Sequence, residues 1–170
     1  MREADASGYG SMWRMPEAVI APDDPRANDV RQLLHRHLTF AQSTTPPEDV
    51  HALDLDGLLD PAISFFSCRV DGELLAIGAL KRLDDGHAEV KSMHTAEAAR
   101  GHGLGRAMLE HLLGIARERG YRRVSLETGA MDAFAPARAL YESAGFVHTG
   151  PFADYGPSRN NVYMTRSLDG

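Results

Sequence analysis

Cysteine is nearly absent from this chain: one thiol, Cys68, occurs in 170 residues. An internal disulfide is excluded, and a reducing cytoplasmic compartment fits. No apolar run approaches the roughly 20 residues that a membrane span needs, so no membrane partner is expected. There is no long basic run and the net charge is −6, which argues against a nucleic-acid partner. The polar start MREADASGYGSMW lacks the apolar segment of a signal peptide. Internal repeats and low-complexity tracts are also missing. Residues 1–12 are expected to form a disordered extension ahead of one domain over 13–168. A chain that is 43% hydrophobic and 25% charged has the balance of a globular protein with a full core. Its acidic excess favours a cationic or amine substrate.

A first strand is expected over 13–20, and Asp24-Pro25 reads as a helix start. Val30, Leu33, Leu34, His37 and Leu38 then recur with helical spacing. His35 and His37 would point about 200° apart on that helix, so they do not share a metal, and no metal is expected. Pro46-Pro47 forbids a helix across 43–53, which reads as an ordered loop: a plain connection or a lid that gathers substrate. A short segment over 50–59 ends at Pro61. Asp71-Gly72 joins strands 62–70 and 73–82 as a hairpin, and Asp84-Asp85-Gly86 turns the chain into a third strand, 87–95. An amphipathic helix carries Leu104, Met108, Leu112 and Ile115 and stops at Gly120. The strand over 122–128 completes a parallel crossover. A helix over 136–144 and strands at 146–148 and 162–165 finish the chain. The order predicts an α/β (α+β) fold with one mixed central sheet and helices on both faces.

The turn Arg100-Gly101-His102-Gly103-Leu104-Gly105 links the third strand to the amphipathic helix. Backbone N–H groups there precede the first helical hydrogen bonds, with the helix dipole behind them, which makes a site for a phosphate-bearing ligand. A bare glycine-rich turn without a ligand is the plain alternative. No Gly-Lys-Ser/Thr follows, so this is not a Walker A loop. The spacing G-x-G-x-G also departs from the dinucleotide fingerprint.

Read as Arg-x-x-Gly-x-Gly, the turn resembles the pyrophosphate loop of the GNAT acetyltransferase superfamily. The downstream Ala139-Leu140-Tyr141-Glu142-Ser143-Ala144-Gly145-Phe146 fits the same resemblance, and the two together are far more specific than either. A bacterial subgroup of amino-acid or small-molecule acetyltransferases is closer still. It shares Thr45-Pro46-Pro47-Glu48, Val50–Leu55, Glu89–Met93, Leu126–Gly129 and Gly150–Tyr155. The resemblance covers nearly the whole chain. It implies a mostly antiparallel sheet and acetyl-CoA as the acyl donor. It further implies transfer to the amine of a small molecule or amino acid, by direct attack in a ternary complex. Such folds often pair as homodimers. A non-catalytic acyl-CoA sensor of the same fold is the competing reading, and transfer of a larger acyl group or to oxygen is a third.

On that resemblance, the N–H groups from Gly101 to Arg106 would hold the pyrophosphate, with charge from Arg100 and Arg106. Arg106 could equally be a solvated helix residue. The edge Met93-His94-Thr95 would pair with the pantetheine amides, and a Met93 or His94 N–H would polarise the thioester carbonyl. Phe134 stands where the wider superfamily often has Asn, which puts one pantetheine contact in question. Glu89 is the first candidate to accept the amine proton, or else an outward carboxylate paired with Lys91 or Lys81. Glu127 is its rival and His94 a third. Tyr141 would hydrogen-bond the departing thiolate, or simply pack as a helix aromatic. Glu48, His51, Asp154 and Tyr155 would meet the acceptor or lock their own loops. Cys68 is expected in the core.

Overall fold

A computed structural model describes residues 18–169, so the expected extension 1–12 and the first part of the 13–20 strand lie outside the described residues. Among the described residues the sheet has seven strands in the order β1-β2-β3-β4-β5-β7-β6. They are β1 (Ala18–Pro22), β2 (Ile63–Val70), β3 (Glu73–Arg82), β4 (His87–Thr95), β5 (Arg123–Gly129), β6 (Val147–Thr149) and β7 (Asn161–Ser167). Only β4 and β5 pair in parallel, as the crossover between them requires. Helix α1 (Asn28–Thr44) covers one face, with a single turn α2 (Leu55–Leu58) beside it. Helices α3 (Leu104–Glu118) and α4 (Ala135–Ser143) cover the other.

Each face is set by strand alternation. Ala88, Val90, Val124, Leu126 and Met164 turn toward α3 and α4; Phe65, Ile77 and Ala79 turn toward Val30, Leu33 and Leu34 of α1. Leu109, Leu112 and Leu113 of α3 are fully buried, each worth roughly 1.5–3 kcal/mol. Gly78 lets α3 come this close: a Cβ there would lie 2.7 Å from Met108 Cγ.

Several expected boundaries move, each for a local reason. The first helix begins at Asn28, because Asp24 closes a turn by accepting from the Arg26 N–H and guanidinium. It runs on through Ser43 and Thr44, whose hydroxyls donate to the Phe40 carbonyl. Pro-Pro does not exclude helical backbone beyond it: Pro47–Asp49 is a 3-10 turn with proline at its first position, where no N–H is needed. The 50–59 segment is helical only at α2, where the Asp54 side chain accepts from Gly57 N at 2.9 Å. Phe146 precedes its strand, its N–H bonded to Tyr141 O, and the last strand is longer than the apolar pattern, reaching back to Asn161.

One irregularity shapes the middle of the sheet. Across β3 and β4, Ala79 faces Lys91 and Ile77 faces His94, so β4 carries one residue more than β3 over that interval. Ser92 absorbs it with φ +57°, the mark of a β-bulge. Beyond it Met93 packs toward the α3 side and His94 turns to α1. The β4–β5 ladder also ends just short of the bulge, at Val90 opposite Leu126. The two strands part there.

Candidate active site

The gap between β4 and β5 opens into a cleft of about 680 Å³ that runs from the glycine turn to the 45–52 loop. Its two halves are made differently.

The half near α3 is mostly backbone. Gly101 and Gly103 hold φ of +84° and +81°, and a Cβ built on either meets nothing within 4 Å, so the surface before them is open. The first helical bond is Ala107 N to Gly103 O, 3.0 Å, and no side chain caps the helix. The N–H groups of Leu104, Gly105 and Arg106 therefore lack helical acceptors, an arrangement that suits an anion. Arg100 and Arg106 flank the cleft; Arg106 is exposed, paired with Glu110 at 3.7 Å and bonded to Ser143. Met93, His94 and Thr95 line it on the side that β5 has left. Phe134 packs over Gly129, its ring filling the space a Cβ would take, and meets Phe40 edge-on at 5.2 Å. His102 is exposed and outside the cleft lining.

The half near α1 is made of side chains. Glu89 and Lys91 project from β4 on the α1 face and form a buried pair at 3.3 Å, their side chains 3% and 8% exposed. Tyr155 closes the group: its hydroxyl donates to Glu89 Oε2 at 2.5 Å and accepts from Lys91 Nζ at 2.9 Å. The His51 ring meets Tyr155 edge-on at 4.8 Å. Glu127, one strand over, lines the cleft and accepts from Asn161 Nδ2 at 2.7 Å. Burial pushes its carboxyl up to about 7, against the pull of Asn161 and Lys91. Tyr141 is 7% exposed at the junction of the halves, and burial raises its phenol. His37 and His94 touch Nδ1 to Nδ1 at 3.2 Å, and burial pushes both rings down to about 4.

The structure thus brings Glu89, Glu127, Tyr141, His51, Phe134 and the residues 93–95 and 100–106 except His102 to one cleft. Tyr155 stands behind Glu89. Glu48 and Asp154 are exposed and outside the lining; the carboxylate of that loop which lines the cleft is the next one, Asp49. Cys68 is fully buried in the core. Asp49, His37 and Asn161 carried no local signal as site residues; only their long-range contacts reveal them.

A parted pair of strands, an anion-binding helix start and a carboxylate raised toward neutrality suit acyl transfer from a phosphate-bearing carrier. The sequence profile described as the acetyltransferase (GNAT) family matches residues 27–146, and the chain belongs to that family. A Bacillus subtilis protein called uncharacterized N-acetyltransferase YsnE is 46% identical over 88% of this chain and 99% of its own length. An Azospirillum brasilense protein called IAA acetyltransferase is 36% identical over 91% of this chain and 100% of its own. The crystal structure of a GNAT family acetyltransferase from Elizabethkingia anophelis with acetyl-CoA bound superposes with a TM-score of 0.66. It is 18% identical, and the match covers 90% of this chain and 99% of that one, a likeness of fold. The chain is accordingly an acetyl-CoA N-acetyltransferase. No described helix is long and apolar enough to cross a membrane.

Proposed function

We propose that this enzyme acetylates the amine of a small molecule or amino acid by direct attack in a ternary complex, with Glu127 as proton acceptor. One catalytic domain over 13–168 carries the whole reaction. Acetyl-CoA supplies a thioester whose acyl carbon is open to a neutral amine. The open N–H groups at the start of α3 and the guanidinium of Arg100 suit its pyrophosphate. The unpaired β4 edge at 93–95 suits its amides, as one strand suits another, and an N–H of Met93 or His94 suits the acyl oxygen.

The observation that carries this reading is the place of Glu127, in the cleft just beyond the end of the β4–β5 ladder. An amine is mostly protonated at pH 7 and must lose a proton before it attacks. A carboxylate balanced near 7 both accepts that proton and gives it up again. Glu89, though nearby, is held by Lys91 and Tyr155, and its part is to keep that wall of the acceptor chamber rigid. Tyr141 keeps its proton at neutral pH and is placed to donate a hydrogen bond to the departing sulfur. His51 and Asp49 line the acceptor end. Glu48 and Asp154 act on their own loops.

An acceptor panel incubated with acetyl-CoA and followed by free thiol tests the proposal. Thiol release that depends on a primary amine is expected. CoA binding with no turnover on any amine would instead favour a sensor.

A further inference from the structure

Asn161 opens β7, is 7% exposed and takes no part in the chemistry above. Its amide nevertheless touches both ends of the acceptor half. Nδ2 donates to Glu127 Oε2 at 2.7 Å and to the backbone carbonyl of Asp49 at 3.1 Å. Both hydrogens of the amide are committed. Its own carbonyl oxygen is buried and has no partner among the described residues. Flipping the amide would aim that oxygen at a carboxylate and a carbonyl, so the neighbours fix the orientation. A buried amide with both donors used and its acceptor unmatched is not what stability alone would select. The adjacent Asn160 also grips the 47–49 turn, through Asp49 Oδ2 at 2.8 Å, but does not reach Glu127.

We infer that Asn161 is a positioning residue that couples the seating of the 45–52 loop to the proton affinity of Glu127. This rests on the reading of Glu127 as proton acceptor. A donor hydrogen bond favours the charged carboxylate. The two N–H bonds of one amide lie in one plane, so the bond to Asp49 O holds the other N–H on Glu127. With the loop seated, Glu127 is kept ready to take a proton. With the loop displaced, the amide turns, the carboxylate loses its donor and stays protonated. The other charged or titratable groups facing Glu127 are Lys91 and Glu89 from β4, Asp49 from the loop, Tyr163 from β7, Tyr155 from the 150–160 segment and Tyr141 from α4. Among them Lys91 pulls its pKa down, while Glu89 and Asp49 push it up.

The test compares Asn161→Leu, Asn161→Asp and Asn160→Ala in the full chain. Two quantities are read: the acid limb of kcat/KM, and the carboxyl carbon shift of Glu127 titrated by NMR with labelled glutamate. Losing the donor should move both upward by about one pH unit in Asn161→Leu. Asn160→Ala loosens the same loop without touching the Asn161 amide, and should move both midpoints in the same direction by a smaller amount while raising KM for the amine. Should the Leu variant fail to fold, Asn161→Asp has the same shape and should also move both midpoints up. Variants that lose thermal stability with both midpoints unmoved would overturn the coupling. If Glu127→Gln keeps the wild-type acid limb, the base reading fails, yet the NMR midpoint still decides the Asn161 inference by itself.

Discussion

The two halves of the cleft are opposites in construction. The half proposed for the cofactor is backbone: glycines at positive φ, a helix start and a strand edge, all within 93–106. The half proposed for the acceptor is mostly side chains, with Glu89, Glu127, Tyr155 and Asn161 wired to one another and to the Asp49 carbonyl across the sheet. A backbone site tolerates changes of side chain but not of conformation. A wired site tolerates neither the loss of a partner nor a change of charge. The cofactor half can therefore stay fixed in a family while the acceptor half is rebuilt.

Four experiments would break or sharpen that contrast. The largest effect is expected from Glu127→Gln, which should lower kcat about 10²–10⁴-fold while leaving the KM for acetyl-CoA nearly unchanged; a retained kcat would move proton chemistry out of the acceptor half. Lys91→Met comes next. It strands a buried carboxylate and should cost about 3–5 kcal/mol in chemical denaturation. Glu89→Leu added to it should restore most of that loss, and failure to restore would mean that the pair is not the unit. Gly103→Val forces a β-branched residue to positive φ. It should weaken CoA about tenfold by calorimetry, with little change in the pH profile of turnover; a shifted profile would mean the halves are not separable.

The smallest expected effect is the pH response of the His37–His94 contact. Both rings are depressed to about 4 when folded and titrate near 6.5 when unfolded. The unfolded chain therefore binds protons first as pH falls. The contribution is fully present above 6.5 and is lost toward 4, on the order of 3 kcal/mol for each ring. Glu127 runs the other way, since its raised carboxyl lowers stability as pH climbs from about 4.5 to about 7. The difference between wild type and His37→Phe isolates the histidine part: the variant should lose less stability between pH 6.5 and 4. Parallel curves would show that the contact carries no proton linkage.

The same contrast explains what the sequence let one read. Arg100–Gly105 and the periodic leucines of α3 are local patterns, so the turn, the helix after it and the crossover could be inferred without coordinates. The hairpin at Asp71-Gly72 was legible for the same reason, since turn chemistry is local. Asn161 was not, because a lone Asn before a strand has many uses and its partners lie 34 and 112 positions away. Spacing alone did not separate Glu89 from Glu127, because what differs is tertiary: one lies between Lys91 and Tyr155, the other lines the gap beside Asn161. The extra residue at Ser92 left no trace, since serine is not a residue that announces positive φ.

That extra residue sets a hazard during folding. From Leu80 opposite Val90, the growing β3–β4 ladder can zip onward without a skip and still form hydrogen bonds for a few more steps. Such a slipped isomer would turn His94 toward the apolar cluster on the α3 face and Met93 away from it, inverting every later side chain of the strand. Only the skipped alignment gives Met93 to the α3 side and His94 to His37 of α1 at once, so the packing of both helices favours that register over its neighbour.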